Sequence, residues 1–382
     1  MDARVFAQTA GYGNSDAINI AVERLFEQVP AAGGLGAQSR VLIKPNLLSK
    51  NPPEAAVTTH PDVLRAVILA LKRRGVGRIT VADSPGGPWS AGAMRGIYES
   101  CGVAAVCAET GAEAWVGSEG VETACGGKLV RQFTLLRPVA EADFIINLPK
   151  LKTHVLMVMS GAVKNLFGLV PGLQKAEFHM RFPERADFAS MLVDLCETVQ
   201  PSMTIVDGVL AMEGDGPGSG TPRVCNLLLG GEDPYSIDLT ICHYMRLDGM
   251  SVPFLAEAHR RGLCAERFDP ALLLGEAPAT APFEGFIPPR SYSGRVDFGS
   301  NLPGFLRPLM PAIARWASPK PVISKPACIG CGKCAEICPQ KVIAIDNRKA
   351  KISPKNCIHC FCCHEICPVH AIGVRRNPLF KL

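Results

Sequence analysis

Cys328-Ile-Gly-Cys331-Gly-Lys-Cys334-Ala-Glu-Ile-Cys338-Pro339 is followed, after seventeen residues, by Cys357-Ile-His-Cys360-Phe-Cys-Cys363-His-Glu-Ile-Cys367-Pro368. The spacing C-x2-C-x2-C-x3-C-P therefore occurs twice. Three closely spaced thiolates on a tight loop can grip part of an iron–sulfur cube, but so short a loop cannot circle it, so each fourth ligand comes from elsewhere in the chain. Paired C-x2-C units also build structural zinc sites. Zinc does not explain a third Cys at the same interval or a Pro after each fourth Cys. Two [4Fe–4S] clusters are the expectation.

This segment resembles bacterial two-cluster ferredoxins, in which the fourth Cys of each run crosses to the other cluster. The resemblance implies one ligand set of Cys328, Cys331, Cys334 and Cys367, and a second of Cys357, Cys360, Cys363 and Cys338. Cys362, beside Cys363, breaks the spacing and is left out. His359, His364 and His370 are expected as supporting or solvated side chains, because eight cysteines already fill the ligand positions.

The remaining 320 or so residues need a second, larger fold, on the order of two domains for the whole chain. The chain has 382 residues, 47% hydrophobic and 20% charged, with a net charge of +5. No long basic tract points to nucleic acid. No run reaches the eighteen or so apolar residues of a membrane span, and the N-terminus has no apolar signal core. Eight further cysteines lie mostly in apolar runs, where a free thiol packs as a small hydrophobe. With cubane ligands beside them, they suggest a reducing cytoplasm rather than a disulfide scaffold.

Strands are expected at residues 3–8, Arg40–Lys44, Arg78–Asp83, Asp143–Leu148, Met203–Val206 and Asn226–Leu229. Helical stripes lie between several of them, at Asp16–Gln28, from Pro61 to Gly75, and from Ala91 to Ser100. Such alternation predicts an α/β domain with a largely parallel sheet over residues 1–282. Residues 283–319 are rich in Pro and Gly and read as a connector, with a short amphipathic helix at Leu306–Trp316. The small α+β ferredoxin-like domain takes residues 320–376, and 377–382 form a tail.

In open α/β sheets ligands gather beyond the carboxyl ends of strands. Lys44-Pro45-Asn46, Asp83-Ser84-Pro85-Gly86-Gly87, the segment from Asn147 to His154, and Asp207-Gly208 with Glu213-Gly214-Asp215-Gly216 are expected to converge there. Lys150, Lys152, His154, Lys164 and Asn165 are set among apolar residues, where an unpaired charge is costly. Their partner is either a structural carboxylate such as Asp207 or an anionic substrate or cofactor. Lys152, His154, Lys164 and Asp207 are the candidate catalytic groups, and Lys44, Asn46, Lys150 and Asn165 the candidate binding groups. His154 reads equally as a core histidine or a general acid/base. Asp207, Glu213 and Asp215 read as ligands for a divalent cation or as acids on a glycine-rich turn. Asp233 reads as a helix cap. No dinucleotide or Walker fingerprint is present.

Lys44-Pro45-Asn46-Leu47-Leu48, Thr58-Thr59-His60-Pro61, Lys152-Thr153-His154, Gly161-Ala162-Val163-Lys164-Asn165-Leu166-Phe167-Gly168 and Glu213-Gly214-Asp215-Gly216-Pro217 resemble the DUF362 family over about residues 1–280. That family often carries a C-terminal ferredoxin module and has no settled activity. A weaker resemblance links Thr59-His60-Pro61 through Asp83, His154, Ser160-Gly161-Ala162-Val163-Lys164 and Leu169-Val170-Pro171-Gly172 to the N-terminal domain of nickel-pincer lactate racemases. It implies a cofactor lysine at Lys164, a catalytic histidine at His154 and a metal-binding histidine near His179.

Three functions follow as expectations. The first is an iron–sulfur oxidoreductase passing electrons to a small anionic substrate or cofactor, with a redox partner protein. The second is a non-catalytic electron carrier or scaffold whose α/β domain binds a partner. The third is a metal- or pincer-dependent enzyme with a second metal or organic cofactor.

Overall fold

The computed structural model describes residues 3–13, 15–86, 90–276, 282–292 and 318–375. The expected helix at Leu306–Trp316, most of the connector and the tail lie outside them.

The centre is a mostly parallel sheet, as the α/β pattern predicts. Its strands are β1 (Val5–Thr9), β2 (Arg40–Pro45), β3 (Arg78–Val81) and β4 (Glu113–Ala114). A separate hairpin, β5 (Gly120–Ala124) and β6 (Gln132–Leu136), precedes β7 (Phe144–Leu148), β8 (Lys150–His154) and β9 (Val158–Ser160). The long β10 (Met203–Glu213) and β11 (Thr221–Gly231), with β12 (Leu273–Gly275), complete the sheet. The order is β12-β1-β11-β10-β7-β2-β3-β4, with β8 joined to β10 and β9 to β8. β2, β3, β4, β7 and β10 run parallel, whereas β11 is antiparallel to both β1 and β10.

β2 shows why the sheet is central. Val41, Leu42, Ile43 and Lys44 are all buried, as expected for a parallel strand covered on both faces. Alternation sends Val41 and Ile43 into the core built by helices α1 (Ser15–Gln28) and α2 (Pro61–Arg73). Leu42 joins the opposite core, and Lys44, two residues on, shares its face. Helix α2 starts where the sequence indicates. His60 Nδ1 accepts the Asp62 N–H, Pro61 occupies the first turn, and Lys72 and Arg73 close the other end, where cations suit the helix dipole.

Two expectations are corrected here. Lys150–His154 is a buried strand, not a loop after β7. Asp207 lies inside β10, which runs on to Glu213, rather than at a strand end.

The C-terminal domain contains β13 (Lys320–Ile323), paired with β16 (Ile372–Arg375), and β14 (Ile343–Asp346), paired with β15 (Lys349–Ile352). Two one-turn helices, Lys333–Ile337 and Cys362–Glu365, each begin beside a cysteine run. The domain is docked against the sheet domain. Phe361 and Val374 are buried in the large core that holds Leu42, Leu151 and Val206. His364 Nε2 meets the Asp215 carbonyl at 3.0 Å, and Ser219 Oγ meets His370 Nδ1 at 2.9 Å. The β10–β11 loop thus cradles the second cysteine helix. Residues at the start of the connector also pack down: Phe286 is buried in the same core, with Phe283 and Tyr292 against it.

Candidate functional site

Two cavities in the C-terminal domain divide the eight motif cysteines four and four. Cys328, Cys331, Cys334 and Cys367 line one. Cys338, Cys357, Cys360 and Cys363 line the other. The fourth cysteine of each run has crossed to the other set, which is the donor set a cubane cluster requires. Backbone amides also face the sulfurs: Ala350 N–H donates to Cys328 Sγ at 3.3 Å and Ala371 N–H to Cys367 Sγ at 3.2 Å. The two loops share a backbone shape despite different residues. Gly330 and Gly332 have φ of 71° and 83°, and their counterparts His359 and Phe361 have 53° and 62°. Left-handed backbone is easy for Gly and costly for His or Phe, so the loop geometry outweighs residue preference in the second run. The eight cysteines present fit two iron–sulfur cubes.

A larger cavity of about 840 Å³, its mouth included, lies between the two domains. Lys44 and Asn46 reach it from the end of β2, and Lys152 and His154 from β8. Alternation explains why β8 supplies both, since residues two apart share a face. Lys164 and Asn165 come from the short helix Ala162–Asn165, and Lys175 and His179 from the helix Gly172–Arg181. The C-terminal domain adds Ile337, Cys362, Glu365 and Ile366. Cys362 also lines the second cysteine cavity, so one residue separates the two spaces.

The floor is a connected polar network. Lys44 Nζ lies 3.0 Å from Asp83 Oδ1. Asn46 Nδ2 donates to Asn165 Oδ1 at 2.7 Å, and Asn165 Nδ2 donates to Asn147 Oδ1 at 2.8 Å. Gly168 is required beside it, because a Cβ there would collide with Asp83 Oδ1 and Lys44 Nζ. Lys152 donates to the Val57 carbonyl at 2.6 Å. Lys164 and Lys175 differ: among the described residues neither has a carboxylate within ion-pair distance. Burial pushes the Lys152 and Lys175 ammonium groups down to about 7, with Lys164 lowering both further.

His154 is held in one state. The N–H groups of Leu156 and Met157 both donate to its Nδ1, at 3.0 and 3.3 Å. The ring proton therefore sits on Nε2, 3.2 Å from Glu365 Oε1. Burial, reinforced by Lys164, pushes the ring down to about 3. At neutral pH His154 is a neutral hydrogen-bond donor, because a second proton would have to displace two backbone amides. Burial raises the Glu365 carboxyl, but the surrounding His154, Lys164 and His179 outweigh it and hold it at about 2. His179 is lowered by burial to about 4 and stacks on Phe188 at 4.4 Å.

Lys150 and Asp207 are brought together but do not line this cavity. Lys150 Nζ donates to Asp207 Oδ2 at 2.9 Å, and both side chains are fully buried. Tyr12 Oη donates to Asp207 Oδ1 at 2.6 Å and His60 N–H to Oδ2 at 2.8 Å. Here the lysine's partner is the structural carboxylate. Glu213 and Asp215 also stay outside: Glu213 pairs with Arg223 at 2.9 Å, and Asp215 Oδ1 accepts the Arg290 N–H at 2.8 Å. Asp233 caps the helix Pro234–Tyr244 through the N–H groups of Tyr235 and Ser236. Among the described residues, no three His, Cys, Asp or Glu side chains are gathered to hold a single metal ion. Lys175 and Glu365 were missed as site residues, whereas Asp83 was expected at the cleft with its loop. Lys44, Asn46, Lys152, His154, Lys164 and Asn165 were readable in advance; Lys175 and Glu365 arrive through long-range packing.

A 4Fe-4S dicluster domain matches residues 327–371. The thylakoid-associated protein sll1697 of Synechocystis sp. is 36% identical over 236 residues, which span 60% of this chain and 72% of that protein. The lactate racemase apoprotein from Thermoanaerobacterium thermosaccharolyticum aligns at a TM-score of 0.40 and 14% identity. That alignment covers 64% of this chain and 58% of the racemase, less than two thirds of its length, a likeness too loose to transfer anything. The family model described as domain of unknown function (DUF362) matches residues 41–243, more than half of the sequence, and the chain belongs to that family.

Proposed function

We propose that this protein delivers electrons through two [4Fe–4S] clusters to an anionic substrate or cofactor held in the cavity between its domains. One observation carries the reading: Cys362 lines both the second cysteine cavity and the lysine cavity. The clusters, when bound, supply one-electron transfer. The chain's own residues do the rest. Lys164 and Lys175, which among the described residues have no carboxylate within ion-pair distance, clamp the anion. His154 donates from Nε2 to the bound group. Lys152, with its ammonium near pH 7, is the proton donor for a group that gains negative charge. Lys44, Asn46 and Asn165 hold the floor rigid, and the Ile337 and Ile366 side chains help exclude water.

Anaerobic purification with iron and sulfide analysis, EPR and native mass spectrometry tests this reading. Eight irons per chain and two reducible clusters are expected. Inorganic phosphate, used as a probe anion, should bind wild type and be lost in a Lys164→Gln, Lys175→Gln double variant. Four irons, or equal phosphate binding in both proteins, overturns it. A carrier whose α/β domain serves only to grip a protein would show the second result.

A second reading places an organic cofactor on Lys164. It is favoured by the absence, among the described residues, of a carboxylate within ion-pair distance of that lysine, and by His154 and His179 on the same cavity. Intact mass would then show a covalent adduct on Lys164, and metal analysis would find nickel. For location, the cysteine chemistry favours a reducing compartment such as the cytoplasm. Among the described residues no helix is long and apolar enough to cross a membrane.

A further inference from the structure

The cluster reading above leaves open where electrons arrive, and the two cysteine cavities differ on this point. The second is walled by Phe361 and Cys362, both buried against the sheet domain. The first opens outward. Cys331, one of its four cysteines, is exposed. Around it stand three apolar side chains with large exposure, Ile329 at 57%, Ile345 at 41% and Val369 at 37%.

Charge is gathered on the same domain. Residues 318–375 carry nine Lys and Arg against three Asp and Glu, while the rest of the chain is near balance. One of the three acids, Glu365, is turned inward onto His154. Lys325, Lys333 and Arg348 are exposed. Lys333 lines the first cavity, Lys325 lies three residues before Cys328, and the Arg348 carbonyl occupies the space a Cβ on Gly330 would take. Among the described residues none of these three cations makes an ion pair. An apolar ring with an unpaired cationic rim around a redox site suits a negatively charged partner, which long-range attraction steers and apolar contact seats.

We propose that the face around Cys331 is the docking site of an acidic one-electron carrier protein, and that electrons pass from it through the first cluster to the second. The carrier loses one electron and the first cluster gains it, with no proton or bond exchanged. This proposal rests on the cluster reading of the preceding subsection, and the iron count decides that reading separately.

The test uses the cluster-loaded full chain and a plant-type [2Fe–2S] ferredoxin as the acidic probe, with cytochrome c as a basic control. Zero-length carbodiimide cross-linking followed by peptide mapping should join ferredoxin carboxylates to Lys325 or Lys333. Stopped-flow reduction of the clusters by reduced ferredoxin should slow about tenfold or more between 20 and 300 mM salt, as screening removes the steering. The Lys325→Glu, Lys333→Glu double variant should slow it about tenfold at low salt with iron content unchanged. Lys72→Glu, at an exposed position near the end of α2, makes a charge change of the same kind elsewhere and should have little effect. Cross-links that map to the sheet domain, a rate indifferent to salt and to the double variant, or a preference for cytochrome c would overturn the proposal. So would capture by phosphatidylglycerol vesicles with no ferredoxin cross-link, which would make the basic face a lipid-binding surface. A protein with eight irons that fails these tests keeps its relay and loses only this docking site.

Discussion

His154 Nε2, on a strand of the sheet domain, lies 3.2 Å from Glu365 Oε1, on the last turn before Cys367. The contact crosses the domain interface and places a carboxylate among the cations of the cavity. Glu365 therefore competes with any anion for Lys164 and His154. Glu365→Gln should tighten phosphate binding about tenfold, the order expected for removing one close like charge. Isothermal titration calorimetry checks this, with iron content as the control for an intact cysteine domain. Weaker binding would make Glu365 part of the anion's own scaffold.

Among the described residues, no carboxylate lies within ion-pair range of Lys164 or Lys175, which face the cavity. Replacing either with Gln should weaken phosphate binding about tenfold, and replacing both more than either alone. Because neither lysine holds the fold through an ion pair, urea midpoints should stay close to wild type. A large loss of stability with unchanged affinity would assign them to packing.

Lys152 and Lys175 lose their protons near pH 7 in the free protein, well below the ordinary lysine value of about 10.4. A bound anion favours the charged ammonium and raises both values. Above pH 7 binding must therefore take up protons, and affinity should fall as pH rises, by up to about tenfold per unit for each lysine. Below pH 7 both are already charged and this dependence vanishes. Phosphate's own second ionisation runs the other way, so a permanently charged anion such as sulfate gives the cleaner titration. Affinity that rises with pH above 7 would contradict this protonation scheme.

Asp207 and Lys150 form a fully buried pair with Tyr12 and the His60 amide around it. Asp207→Ala leaves a buried ammonium uncompensated and should cost about 3–5 kcal/mol of stability. Its effect on phosphate affinity should be small, since the pair does not line the cavity. Denaturant unfolding paired with calorimetry separates the two. Lost affinity in a fully stable variant would return Asp207 to the candidate catalytic set.

Gly168 lies against both members of the Lys44–Asp83 pair. Gly168→Ala should force them apart and destabilise the protein by about 1–3 kcal/mol, the usual cost of overpacking. Thermal unfolding would register it, and an unchanged midpoint would mean the loop yields freely.

The cysteine domain was legible because cluster ligands must recur at fixed short intervals. The sheet was legible where apolar runs are simple: Val41–Ile43 and Ile145–Leu148 read as strands and are strands. Lys150–His154 was not, because its charged residues and the preceding Pro149 suggest a loop. Its Lys-Leu-Lys-Thr-His alternation was the signal for a strand. β10 was cut short at Asp207 because a carboxylate looks like a strand end until its partner, fifty-seven residues earlier, is known. Glu365 carried no local sign at all. Its place in the cavity follows from docking between domains, and docking leaves no mark on spacing or periodicity.

Phe361 follows Cys360 directly and is buried in the core of the other domain. The Phe361 carbonyl accepts the N–H groups of His364 and Glu365, so the ring and the short helix after it are set together. A change in the second cysteine loop is thus transmitted, through one aromatic ring, to the interior of the neighbouring domain.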